Sequence, residues 1–69
     1  MKTSARNQLK GKITSVKKGV TTSHVQIDIG GGVIVTASIT NNSVDNLALK
    51  TGMAATAVIK ASDVMVAVE

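Results

Sequence analysis

The run His24-Val25-Gln26-Ile27-Asp28-Ile29-Gly30-Gly31-Gly32-Val33-Ile34-Val35-Thr36-Ala37-Ser38-Ile39 decides the fold class. Val25, Ile27 and Ile29 alternate with His24, Gln26 and Asp28, the period-two pattern of a strand buried on one face. Three glycines follow, which accept the positive φ of a tight connection, and an apolar run resumes at Val33. A glycine triplet can also cradle a phosphate, but such cradles open onto a helix and this one opens onto a strand. The stretch reads as a β-hairpin.

Upstream, Leu9, Gly11 and Ile13 share one parity and Val16 breaks it, which predicts a bulge or an end to pairing near Ser15. Downstream, the period changes after Thr40. Asn41-Asn42-Ser43 offers helix caps, Asp45 suits a first turn, and Val44, Leu47 and Ala48 fall at i, i+3 and i+4. With Gly52 placed to end it, this predicts one short helix of about two turns, a plug for the end of a small barrel. Two more strands are expected, Ala54 to Lys60 and Asp63 to Val68. The order strand, strand, strand, helix, strand, strand is that of a mainly-β fold: a five-stranded OB-type Greek-key barrel with one short helix between strands three and four.

At 69 residues the chain is one domain, 1–69, near the size where a single core barely offsets chain entropy. It has no cysteine to staple it and no Phe, Tyr or Trp to fill it. Yet 43% of its residues are hydrophobic, only 17% are charged, and mean hydropathy is +0.26. The later strands are apolar on both faces. Val33, Val35, Ala37 and Ile39 oppose Ile34; Ala55, Ala57 and Ile59 oppose Ala54 and Val58; Val64, Val66 and Val68 oppose Met65 and Ala67. Such strands are covered on both sides, and one small barrel has a single inside. A homo-oligomer is the expectation.

The residues for catalysis are missing. The carboxylates Asp28, Asp45, Asp63 and Glu69 are scattered, and His24 is the only histidine. No spaced acid–base pair, nucleophile arrangement, P-loop or zinc spacing can be found. A binding protein is expected rather than an enzyme, with no metal-ligand cluster of its own. No apolar run is long enough to span a membrane and none follows Lys2 as a signal peptide requires, so no membrane partner and a cytoplasmic location are expected.

Net charge is +4 and the pI about 9.9, which fits an anionic partner. OB barrels commonly bind oligonucleotides, but single-strand binders rely on aromatic platforms worth roughly 1–3 kcal/mol per base. This chain has none. A nucleic-acid-binding OB module is therefore the alternative and no nucleic-acid partner the expectation. A small tetrahedral oxyanion needs only a few N–H and O–H donors and one or two cations, held rigidly. The opening stretch, Met1-Lys2-Thr3-Ser4-Ala5-Arg6-Asn7-Gln8-Leu9-Lys10-Gly11-Lys12, is rich in such donors.

Within it, Ser4-Ala5-Arg6-Asn7-Gln8-Leu9-Lys10-Gly11-Lys12 resembles the opening signature of the molbindins, small molybdate- and tungstate-binding proteins once described as molybdenum-pterin-binding. Two shorter stretches, Lys17-Lys18-Gly19-Val20 and Lys60-Ala61-Ser62-Asp63-Val64-Met65, resemble the family in the same order and spacing, so the likeness spans essentially the whole chain. It implies an OB-type fold and intracellular storage or buffering of molybdate or tungstate. It implies binding at the subunit interfaces of a homo-oligomer, a hexamer built as a trimer of dimers. The metal enters only as an oxyanion. No organic cofactor is expected, because no aromatic side chain is present to stack a pterin ring.

By the same resemblance, Ser4 and Arg6 match donors turned toward the oxyanion, with the backbone N–H of Ala5. A neighbouring subunit would contribute Lys60, Ala61 and Ser62. A second oxyanion site, where subunits meet on a symmetry axis, falls to Lys18-Gly19-Val20-Thr21-Thr22-Ser23, through Gly19, Val20 and Thr22. Without the resemblance, Arg6 reads as a surface cation, Lys60 as an exposed strand end, and residues 19–22 as a plain hairpin turn.

Overall fold

Gly31 and Gly32 adopt φ of 62° and 79°, the pair of positive values that a two-residue hairpin of matching twist requires. The Asp28 carboxylate accepts the Gly30 N–H at 2.8 Å and closes the turn from the strand side. The computed structural model describes all of residues 1–69. Its elements are β1 (Asn7–Lys18), β2 (Thr22–Gly30), β3 (Val33–Thr40), α1 (Asn41–Asn46) and β4 (Ala54–Ile59), followed by a 3-10 turn at Ala61–Asp63. No helix is long and apolar enough to cross a membrane.

The strands form one antiparallel sheet in the order β3-β2-β1-β4. β1 is the long central strand, and its register against β2 slips between Ile13 and Ser15, the bulge expected there. The backbone of Ile13 is not left unpaired: its N–H donates to Met53 O at 2.9 Å, and its carbonyl accepts from Gly52 N–H at 2.8 Å. Close approach of β1 and β2 also fixes Gly11, where an added Cβ would collide with the Asp28 carbonyl oxygen.

Alternation puts Val25 and Ile27 of β2 and Ile13 of β1 inside, joined by Ala57 of β4 and Val44 of α1. The helix packs through that one buried valine. It is shorter than the expected two turns. Thr40 is its N-cap, accepting the Ser43 N–H at 3.1 Å, where Asn41, Asn42 and Ser43 were the candidates. Its end is a Schellman arrangement, with Ala48 N–H on Asp45 O and Leu49 N–H on Val44 O. Ala48, not Gly52, takes the left-handed position, at φ 52°. Leu47 falls beyond the helix and is exposed.

Four strands are present where five were expected. The segment Asp63 to Val68 is not a strand: the turn at Ala61–Asp63 carries the chain away from β4, and residues beyond it pair with nothing. Period-two patterning reports that one face of a segment suits burial; it does not report which edge the segment will meet. Without the fifth strand, β3 and β4 remain free edges and the Greek-key barrel stays open as a curled half-barrel. Its concave side is a groove of about 840 Å³, lined mainly by apolar side chains that include Val35, Ile39, Leu49, Met53 and Ile59.

Candidate functional site

Pairing of β1 with β4 brings the two ends of the first candidate site to one end of the sheet. The register runs from Lys12↔Ala54 to Asn7↔Ile59, so Arg6 and Lys60 directly follow the last paired residues. Asn7 Nδ2 secures this end by donating to Ile59 O at 3.2 Å. Ser4 and Arg6 lie on the arm before β1 and are exposed, whereas Ala5 is half-buried. The Ala5 N–H donates to Thr3 Oγ1 at 3.2 Å, so the hydroxyl holds the place of an acceptor there.

Across from the arm, Lys60 precedes the 3-10 turn. Asp63 N–H donates to Lys60 O and Val64 N–H to Ala61 O, while the amides of Ala61 and Ser62 enter none of the turn's bonds. Arg6 and Lys60 therefore sit at the same end of the β1–β4 ladder, with Ser4 and residues 61–62 next along the chain, and Ser4, Arg6 and residues 60–62 are all exposed. Arg6 and Lys60 take part in no ion pair. No cavity encloses them within a single chain; the two concave regions of the surface lie elsewhere.

The second candidate stretch lies at the other end of β1. Here Lys17, Lys18, Gly19, Thr22 and His24 line a cavity of about 320 Å³ with no apolar residue among them. Gly19 and Thr22 are among its lining residues. Val20 projects into solvent and does not line it. Lys17 and His24 face each other across β1 and β2. Lys18 is paired with Asp45 of α1 at 2.7 Å, both largely exposed, a contact worth little in water.

Sequence reasoning missed Asn41. It read as a helix cap, but its side chain reaches back over about 20 positions to the β1–β2 turn, donating to Gly19 O at 3.1 Å and Val20 O at 3.2 Å. Its Oδ1 accepts from the buried Ser23 hydroxyl. Only a polar residue at a buried strand position, Ser23 among Val25 and Ile27, hinted at such a partner. No group of three or more His, Cys, Asp or Glu side chains converges anywhere in the fold.

The family model described as the TOBE domain matches residues 3–66. Molybdenum-pterin-binding protein 3 of Clostridium pasteurianum is 52% identical over 66 residues, which cover 96% of this chain and 97% of that protein. Among solved structures, MopII from Clostridium pasteurianum aligns with a TM-score of 0.91 at 48% identity, covering 97% of this chain and all of the other. The cytoplasmic molybdate-binding protein ModG, in a form with molybdate bound, aligns with a TM-score of 0.89 at 38% identity. That match takes in 94% of this chain and 46% of ModG.

Proposed function

This chain belongs to the TOBE domain family, and from that premise we propose that it binds molybdate, with tungstate as a close equivalent, as an intact oxyanion. The observation that carries the reading is the likeness, over nearly the whole chain, to a structure that holds molybdate. The chemistry at the arm supports it. A dianion leaving water needs cations and charge-assisted hydrogen bonds, and Ser4, Arg6, Lys60 and Ser62 supply both kinds of group, with amides from residues 5, 61 and 62. The protein acts by binding rather than catalysis, and its role is storage or buffering of the anion in the cytoplasm.

The sites are completed by assembly. One chain exposes 5393 Å², whereas a globular monomer of its mass exposes about 4,000 Å². The excess, about 1,300 Å² per chain, is the area that one partner of an obligate interface hides. Val66 and Val68 are 89% and 93% exposed on an unpaired tail, and an apolar groove lies open between two free strand edges. The tail of one copy fits the groove of another, supplying in trans the fifth strand that the chain lacks. The arm and the turn at residues 60–62 then meet a neighbouring subunit, and the turns at Gly19–Thr22 gather around a symmetry axis as the second site. A hexamer, as a trimer of dimers, satisfies both.

Shared donors link ligand to assembly, so anion binding stabilises the folded oligomer. Molybdate and tungstate should each raise the unfolding temperature, and equal sulfate, a smaller anion, should do much less. Equal shifts for all three would indicate general charge neutralisation and overturn the reading.

A further inference from the structure

The β1–β2 turn has an unusual distribution of used and unused hydrogen-bonding groups. Gly19 O and Val20 O both accept from Asn41 Nδ2, at 3.1 and 3.2 Å. Thr21 O accepts the backbone N–H of the same Asn41 at 2.9 Å, and Thr22 O accepts the Gly19 N–H at 2.7 Å. Four consecutive carbonyls are thereby occupied. The N–H groups of Val20 and Thr21 enter no hydrogen bond in the chain. Asn41, from a different element, engages three of the four through its side chain and its backbone N–H, and the loop is left with unpaired donors where a peptide ordinarily offers donors and acceptors equally.

Asn41 is well held for this task. Its amide oxygen accepts from Ser23 Oγ, a hydroxyl with no exposed surface. The amide cannot turn over without setting its oxygen against two carbonyl oxygens, so the network itself defines its orientation. Beside the loop lies the polar cavity lined by Lys17, Lys18, Gly19, Thr22 and His24.

We propose that Asn41 is a positioning residue that sets the anion selectivity of this loop. It engages the carbonyls of Gly19, Val20 and Thr21, while Gly19 N–H engages that of Thr22, so the backbone groups left unpaired in the loop are the N–H donors of Val20 and Thr21. A fully deprotonated tetrahedral dianion is matched by these unpaired backbone donors. A hydrogen phosphate brings an O–H that meets no unpaired loop carbonyl, and is disfavoured. The proposal rests on the oxyanion reading of residues 19–22 and adds the residue that gives them their discrimination.

The test follows the backbone amides of Val20 and Thr21 by NMR during titration of the intact oligomer with molybdate and, separately, with inorganic phosphate at neutral pH. In the parent protein both amides should shift and saturate with molybdate at far lower concentration than with phosphate. Asn41→Ala frees Gly19 O and Val20 O, and the molybdate-to-phosphate preference at these amides should fall about tenfold. Asn41→Asp keeps the acceptor for Ser23 and a good helix start while removing the donors. It should narrow the same ratio even though its charge weakens both anions, which covers the case in which the alanine variant folds poorly. Amides near Arg6 should keep their preference in both variants. A variant that weakens both anions equally, with the ratio unchanged, means Asn41 merely supports the fold, and the proposal fails. Parent amides that answer to neither anion would overturn the loop site itself, and this role with it.

Discussion

In the proposed exchange of tails between copies, Val66→Asp should dissociate the oligomer. Val66 is 89% exposed in the isolated chain and lies on the same parity as Val64 and Val68, on a tail that pairs with nothing of its own. Full burial of a valine is worth about 1.5–2 kcal/mol. In a twofold exchange of tails each substitution counts twice, so losing the contact alone costs about 3 kcal/mol, roughly 150-fold in the dissociation constant. A carboxylate left unpaired in an apolar groove adds to that. Sedimentation velocity over a dilution series reads the effect directly, with Met65→Asp, on the opposite parity, as the comparison. The aspartate at 66 should move the assembly toward smaller species at concentrations where the parent is intact, and the one at 65 should do less. A Val66→Asp protein that sediments like the parent, or a parent that is a folded monomer, would refute the exchange.

Other perturbations probe the site and the scaffold separately. Arg6→Ala and Lys60→Ala should each weaken molybdate binding by about 1.5–3 kcal/mol, the worth of a charge-assisted hydrogen bond, while leaving anion-free unfolding little changed; unaltered titrations for both would remove the arm from the site. Ala48→Gly should stabilise the chain by about 1 kcal/mol in denaturant unfolding, because Ala48 holds φ 52° at the end of α1, a region that glycine enters without steric cost. Gly11→Ala should destabilise by about 2 kcal/mol or more, since its Cβ would press on the Asp28 carbonyl and part β1 from β2; a neutral result would mean the strands lie farther apart there.

What was legible in the sequence was local. Alternation through Val25, Ile27 and Ile29, the positive-φ glycines at 31 and 32, and the parity break that became the Ile13 bulge are all carried by neighbouring residues. The polar opening and the stretch Lys60-Ala61-Ser62 were legible as motifs, and β1–β4 pairing brings them to one end of the sheet. What escaped depends on distant residues. The tail carries a strand's pattern, but a strand also needs an edge, and none in its own chain receives it. Asn41 has the composition of a cap, and only tertiary folding shows it spanning to Gly19 and Val20. Thr40 could displace Asn41, Asn42 and Ser43 as N-cap because hydroxyl and amide side chains compete for that position on nearly equal terms.

The central claim, selective capture of a tetrahedral oxyanion by donors that the proposed assembly encloses, is tested most directly by calorimetric titration of the protein with molybdate at low and at raised chloride. Sulfate and a short single-stranded oligonucleotide are the competing ligands. Donors in a closed site are poorly screened, so molybdate affinity should change little with chloride and should exceed that of sulfate. Oligonucleotide binding to the same cations would fall steeply with salt, as condensed counterions are released. Heat from the oligonucleotide but not from molybdate, or a molybdate signal that chloride abolishes, would contradict the account.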